Sequence, residues 1–143
     1  MNRAVQLGVE LLLPIDAVVS TNIHDVKNSA IKDIGSFNVN DCGFDVGPKT
    51  SSLFRKKIKD SKTIVWNGPL GVAEKFEFAN GTNSIARFLN ELTNASTIIG
   101  GGDTASCVYN LLPENNFSHI STGGGSSLEL LSGNNLPAFE VLK

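Results

Sequence analysis

Two glycine triplets constrain this chain more than any other feature. IIGGGDTASCVYNLL, from Ile98 to Leu112, and HISTGGGSSLELL, from His119 to Leu131, share one order: a short run, three glycines, then an apolar-periodic segment. The short runs read as strands and the periodic segments as helices, so each triplet falls on a strand-to-helix corner. The same alternation fills the second half of the sequence. Strands are predicted over Thr63–Trp66, Ser96–Ile99 and Ser118–Ile120. Helices are predicted over Thr82–Thr93, with Ile85, Phe88, Leu89 and Leu92 on one face, over Asp103–Leu112, stopped by Pro113, and over Ser126–Leu131, ended by Gly133. This order implies an α/β fold with right-handed crossovers and a Rossmann-like, three-layer arrangement around a parallel sheet.

The first half is less regular. ELLLPIDAVVS, Glu10 to Ser20, is two short apolar runs broken by Pro14 and Asp16. Such runs suit strands buried on both faces, in the middle of a parallel sheet. From Thr21 to Asn40 the chain turns polar, with Ala30, Ile31 and Ile34 marking one weak edge strand. Gly47-Pro48 then opens a helix with Leu53, Phe54 and Ile58 on one face, Pro48 standing where a missing N–H is harmless. The 143 residues hold one domain with a real core and leave no room for a second.

Several function classes are disfavoured. A net charge of −2 draws no nucleic acid, and the one dense basic run, Arg55 to Lys59, reads as a solvated helix face. Cys42 and Cys107 lack a CxxC partner or metal-like spacing, and they read as buried free thiols in a reducing compartment. The amino terminus has no leader pattern, and no apolar run approaches the roughly 18 residues of a membrane span. Sequons at Asn80, Asn94 and Asn116 are then incidental, and a cytoplasmic location is expected.

In a parallel α/β sheet, ligands collect at the carboxyl ends of strands, which is where NGPLG, GGGDT and STGGG all fall. Glycine lets the backbone approach a phosphate closely, and the helix that follows offers unpaired N–H groups and a partial positive charge. The blander alternative is that the triplets only let helices pack tightly on their strands. No Gly-Lys dipeptide occurs, which removes the P-loop pattern. Gly100, Gly102 and Ala105 satisfy G-x-G-x-x-A, but the next strand ends in Ser121 and Thr122 rather than in a ribose-binding acid. Asp103 would repel a bare pyrophosphate. It makes sense if Mg²⁺ stands between them, because this cation typically takes one or two carboxylates plus phosphate oxygens. Otherwise Asp103 simply complements the helix dipole.

VWNGPLGVAE, IIGGGDTASCV and HISTGGGSSLELLSG followed by LPAFEVL, in that order, closely resemble the carboxyl-terminal half of phosphoglycerate kinase, and LLLPIDAVVS and FDVGPKT resemble its upstream stretches. The resemblance covers nearly the whole chain outside Thr21–Asn40. It implies a partial, nucleotide-binding carboxyl-terminal lobe over residues 1–143, without the amino-terminal lobe that would carry 3-phosphoglycerate. The implied activity is glycolytic phosphoryl transfer between 1,3-bisphosphoglycerate and MgADP, by an enzyme monomeric in its full form, with this piece inactive alone. Carried over by residue, Asp103 would hold the Mg²⁺ of ADP or ATP, and Thr104 with the Gly100, Gly101 and Gly102 backbone would contact phosphates. The turn of Ser121, Thr122, Gly123, Gly124 and Gly125 would stabilise the transferring phosphoryl group, and Asn67 would face the phosphates. Glu74 would bind the ribose, while Phe44, Pro69, Gly71 and Val72 would line the adenine slot.

The chain departs from the family at Ala73, where an aromatic residue is usual, and at Phe44, where an aliphatic one is common. His24 and His119 read as structural or exposed, and Trp66 as core. Two other readings stay open: a dinucleotide-binding half-domain that binds NAD without magnesium, and a non-catalytic piece that self-associates through an exposed strand edge.

Overall fold

A computed structural model describes residues 2–141. Leu142, in the quoted LPAFEVL stretch, lies outside them. The chain opens with helix α1 (Asn2–Gln6) and proceeds through β1 (Asp16–Ser20), β2 (Ala30–Asp33), β3 (Cys42–Val46) and α2 (Pro48–Ile58). It continues with β4 (Thr63–Asn67), α3 (Asn80–Glu91), β5 (Ser96–Gly100), α4 (Gly102–Leu111), β6 (His119–Ser121), α5 (Gly124–Leu131) and α6 (Pro137–Glu140).

The second half folds as its alternation demands. β4, β5 and β6 form a parallel sheet in that order, paired Asn67↔Gly100 and Gly100↔Ser121 at their carboxyl ends. Ile64 and Trp66 alternate inward along β4 and meet Ile99, the α3 residues Ile85, Ala86 and Leu89, and Val108 of α4 in one core. The Trp66 indole N–H finds the Gly68 carbonyl at 2.7 Å, which satisfies the one polar atom this large side chain brings inside. Gly133, at φ 79°, closes α5: its N–H donates to the Leu130 carbonyl and that of Asn134 to the Glu129 carbonyl.

The first half corrects the expectation of a parallel arrangement. β1 is indeed a central strand, but of a separate antiparallel sheet ordered β2-β1-β3. The reason lies in the connection: nine residues from Thr21 to Ser29 return the chain to β2, too few for the crossover that parallel neighbours require. The other run of Glu10–Ser20, Leu11 to Leu13, forms no strand. Leu12 packs beside Phe54 and Trp66, while Leu11 and Leu13 stay exposed. The weak edge strand around Ala30 is β2 itself. β3 has no counterpart in the sequence reading, because Gly43 interrupts its apolar pattern and a register shift between Val18 and Val19 accommodates it.

Two buried carboxylates join this sheet to the helices. Asp16, on β1, accepts the Lys49 and Thr50 amides at 3.0 and 2.7 Å and the Thr50 hydroxyl at 2.6 Å, capping α2 from a distance in sequence. Asp45, on β3, accepts the Gly81 amide at 2.8 Å and so caps α3. Both caps satisfy helix-start N–H groups that no local side chain reaches. The basic face is solvated as expected: Arg55, Lys56 and Lys57 are exposed on α2, with the Arg55 guanidinium 5.1 Å from the centre of the Phe88 ring. The cysteines correct the expectation of burial: Cys42 is exposed, since it stands at the open end of β3, and Cys107 is half-buried. No helix among the described residues is long and apolar enough to cross a membrane.

Candidate functional site

The two glycine corners meet. β5 ends at Gly100, Gly101 takes φ 94°, and α4 starts at Gly102; the Gly101 N–H donates to the Ser121 carbonyl at 3.0 Å and ties the first corner to β6. At the second corner Gly124 lies directly against Gly101, for a Cβ on Gly124 would stand 2.7 Å from the Gly101 Cα. Asn67, at the end of β4, joins them: its Nδ2 donates to the Gly124 carbonyl at 3.1 Å, and its side chain also flanks Gly100 and Gly101. A Cβ on Gly100 or Gly101 would press on the Asn67 amide at 3.2 or 3.1 Å, and Gly101 is further reserved for glycine by its positive φ. The amides of Gly102, Asp103 and Thr104 form the first turn of α4, and those of Gly124 and Gly125 begin α5, positions without intrahelical partners.

Several implied residues have structural work as well. The Thr104 hydroxyl is buried and accepts the Gly68 N–H at 2.9 Å, locking the turn after β4 onto α4. The Ser121 hydroxyl accepts the Gly123 N–H at 3.2 Å and lies 3.3 Å from that of Ser127. Thr122, Gly123 and Gly125 are exposed on the turn.

The loop from Pro69 to Glu74 separates two clefts. On one side, a cleft of about 540 Å³ is lined by Glu74 and Asp103 with Ala73, Phe76, Cys107 and Asn110. On the other, one of about 370 Å³ is lined by Phe44, Pro69, Gly71 and Val72 with Phe37 and Asp45. The structure thus unites the proposed ribose and metal carboxylates, and groups the four adenine-slot residues on the opposite face of the loop. The first cleft is electronegative. Burial, and after it the charges of Glu74 and Asp103, push the Cys107 thiol above its ordinary range.

Among the described residues no group of His, Cys, Asp and Glu is arranged to hold a metal by itself. Asp103, exposed at a helix start, offers a single carboxylate. Such a donor set fits a magnesium ion whose remaining ligands are phosphate oxygens and water, and it does not fit a resident cation caged by protein.

Asp45 was missed by the sequence reading, although an acid within the apolar FDV run is a signal of a buried, partnered carboxylate. Burial raises its pKa above the ordinary 3.8, against the opposing pull of the Gly81, Val46 and Asn80 amides. A raised folded-state value favours the neutral acid, so its contribution to stability is full below 3.8 and is lost as pH rises through the folded value. The stability difference between the parent chain and Asp45→Asn is expected to be largest in acid and to shrink toward neutral pH; urea unfolding across that range measures it.

An α/β chain with glycine corners gathered at the carboxyl ends of a parallel sheet, beside the Asp103 carboxylate, shares the architecture of the class in which phosphorylated ligands are commonly bound. The family model described as phosphoglycerate kinase matches residues 1–134. Phosphoglycerate kinases of Dictyoglomus turgidum and Clostridioides difficile are 50% and 46% identical over 143 and 142 residues, and the chain spans 36% of the length of each. The solved phosphoglycerate kinase of Coxiella burnetii superposes with a TM-score of 0.84 at 38% identity, over 99% of this chain and 36% of that one. The chain belongs to the phosphoglycerate kinase family.

Proposed function

We propose that this chain supplies the nucleotide side of the glycolytic transfer between ATP and 3-phosphoglycerate, whose reverse yields ATP from ADP and 1,3-bisphosphoglycerate. The observation that carries the reading is the contact of the two glycine corners beside Asp103. In the direction that makes ATP, the bond between phosphorus and the acyl oxygen of 1,3-bisphosphoglycerate breaks, a bond to the ADP β-phosphate oxygen forms, and 3-phosphoglycerate leaves as its carboxylate. Such chemistry asks for positioning and for neutralisation of spread-out charge, and needs no covalent nucleophile. Main-chain amides at the starts of α4 and α5 meet that need. Asp103 would hold the Mg²⁺ that travels with the nucleotide, whose role is to offset phosphate charge. Glu74 would bind the ribose hydroxyls. Phe44, Pro69, Gly71 and Val72 would take the adenine, and Thr122 to Gly125 would face the transferred group.

The phosphoglycerate would be held by sequence of the longer family members that this chain does not span. The full enzyme would work as a monomer in the cytoplasm. The dinucleotide alternative loses ground because Ser121, followed by Thr122, ends β6 where an acid would be needed, and because the relatives are kinases. Calorimetric titration with MgADP tests the site: Asp103→Ala is expected to weaken binding about tenfold. Equal binding by both proteins removes the metal role from Asp103.

A further inference from the structure

Asp45 holds no role in the family resemblance, yet the loop between the two clefts is built around it. Its carboxylate is only 4% exposed. One oxygen accepts the Gly81 N–H at the start of α3, at 2.8 Å, and the other the Val46 N–H, at 2.9 Å. Two glycines close on it from different elements. A Cβ on Gly71, in the loop, would stand 2.3 Å from Asp45 Oδ1 and 2.4 Å from the Phe78 carbonyl, and one on Gly81 would stand 2.5 Å from the same Oδ1. The neighbouring Phe44 carbonyl accepts the Val72 N–H at 2.8 Å, and the Phe44 ring packs on Phe78 with centroids 5.1 Å apart. From the helix side, the Thr82 hydroxyl accepts the Leu70 N–H at 2.9 Å.

Simple packing would not place a charge here, because burying a carboxylate is costly unless several donors face it. Donors do face it, the Gly81 amide at one oxygen and the Val46 amide at the other.

We propose that Asp45 is the positioning residue of the nucleotide slot: its carboxylate holds the start of α3 to β3 through the Gly81 amide, and Gly71 of the loop packs directly against it, which together set the wall between the two clefts. The consequence for affinity rests on the nucleotide reading above. The consequence for the loop does not. Asp16 provides the matched control, since it is another buried carboxylate capping a helix, and neither it nor the Lys49 and Thr50 amides it binds lines either cleft.

The test uses the whole chain as parent, Asp45→Asn and Asp16→Asn. Without nucleotide, amide hydrogen exchange at Val72 and Gly81, normalised to the β5 amides, is expected to quicken about tenfold in Asp45→Asn. In Asp16→Asn those two amides keep their parental rates, and Lys49 and Thr50 quicken instead. With MgADP, Asp45→Asn is expected to lose about tenfold in affinity, and Asp16→Asn to stay within about twofold of the parent. Should Asp45→Asn fail to fold, Gly71→Ala, which presses a methyl group on the same carboxylate, is read in its place. Unchanged exchange at Val72 and Gly81, or equal affinity losses in the Asp45 and Asp16 variants, overturns the proposal. If the parent binds no MgADP, the nucleotide reading falls, and the exchange measurement still decides the role of Asp45.

Discussion

Asp16→Ala is expected to lower the unfolding free energy by about 2–3 kcal/mol, because it takes the acceptor from the buried Thr50 amide and from the partly buried Lys49 amide, while the Thr50 hydroxyl keeps the Asp16 main-chain carbonyl at 2.9 Å. The network around it is dense: Thr50 Oγ1 also accepts the Ile15 and Asp16 amides, both at 3.0 Å. Asp16 and Thr50 are both fully buried, while Lys49 lies at the surface. Burial alone would raise the pKa of Asp16. The Thr50 hydroxyl, the Lys49 and Thr50 amides and the Lys49 charge outweigh it, and the carboxyl ends below the ordinary 3.8. The sign is opposite to that of Asp45. Stabilisation by Asp16 is complete above 3.8 and is lost as pH falls through its lowered value. Denaturant unfolding therefore shows an acid limb in the parent chain that is smaller in the Asp16→Ala protein, where the lowered Asp41 carboxyl remains. A variant that unfolds with the parental midpoint would show that the cap contributes nothing.

Gly124→Ala is expected to cost about tenfold or more in MgADP affinity, because it forces apart two main-chain corners that the site needs in contact. The added methyl would lie 2.7 Å from the Gly101 Cα and 3.0 Å from its nitrogen, both main-chain atoms that have no rotamer by which to yield. The corners must separate, and the Asn67 contact to the Gly124 carbonyl goes with them. Overpacking of this kind also lowers stability by about 1–3 kcal/mol. Gly35→Ala is the comparison, for nothing lies within 4 Å of a Cβ there and the residue lines neither cleft. Titration calorimetry on both variants should find Gly35→Ala close to the parent. Parental affinity in Gly124→Ala would mean that the corners do not act as one site.

The parts of the molecule that could be read from the sequence are those governed by local rules. Proline, glycine and the 3.6 period mark α2, α4 and α5 to within a few residues, and the short runs at Ile64 and Ile98 mark β4 and β5. The corners were legible for the same reason, since glycine reports a backbone requirement directly. What escaped depends on partners distant in the chain. The apolar text of β1 suits either a parallel or an antiparallel neighbour, and only the pairing of Val18 with Ile31 and Asp45 decides between them. The grouping of Phe44 with Pro69 and Val72, apart from Glu74, follows from a loop whose course is set by Asp45. No local pattern around Glu74 encodes it.

Asp16 reaches its helix across 34 residues and Asp45 across 36, so the start of α2 and the start of α3 are each completed by a strand synthesised well before them. A short helix is marginal on its own in water. The first turns of α2 and α3 are therefore complete only once the small antiparallel sheet stands beside them. A chain cut or permuted between Ser20 and Pro48 would separate α2 from the acid that starts it.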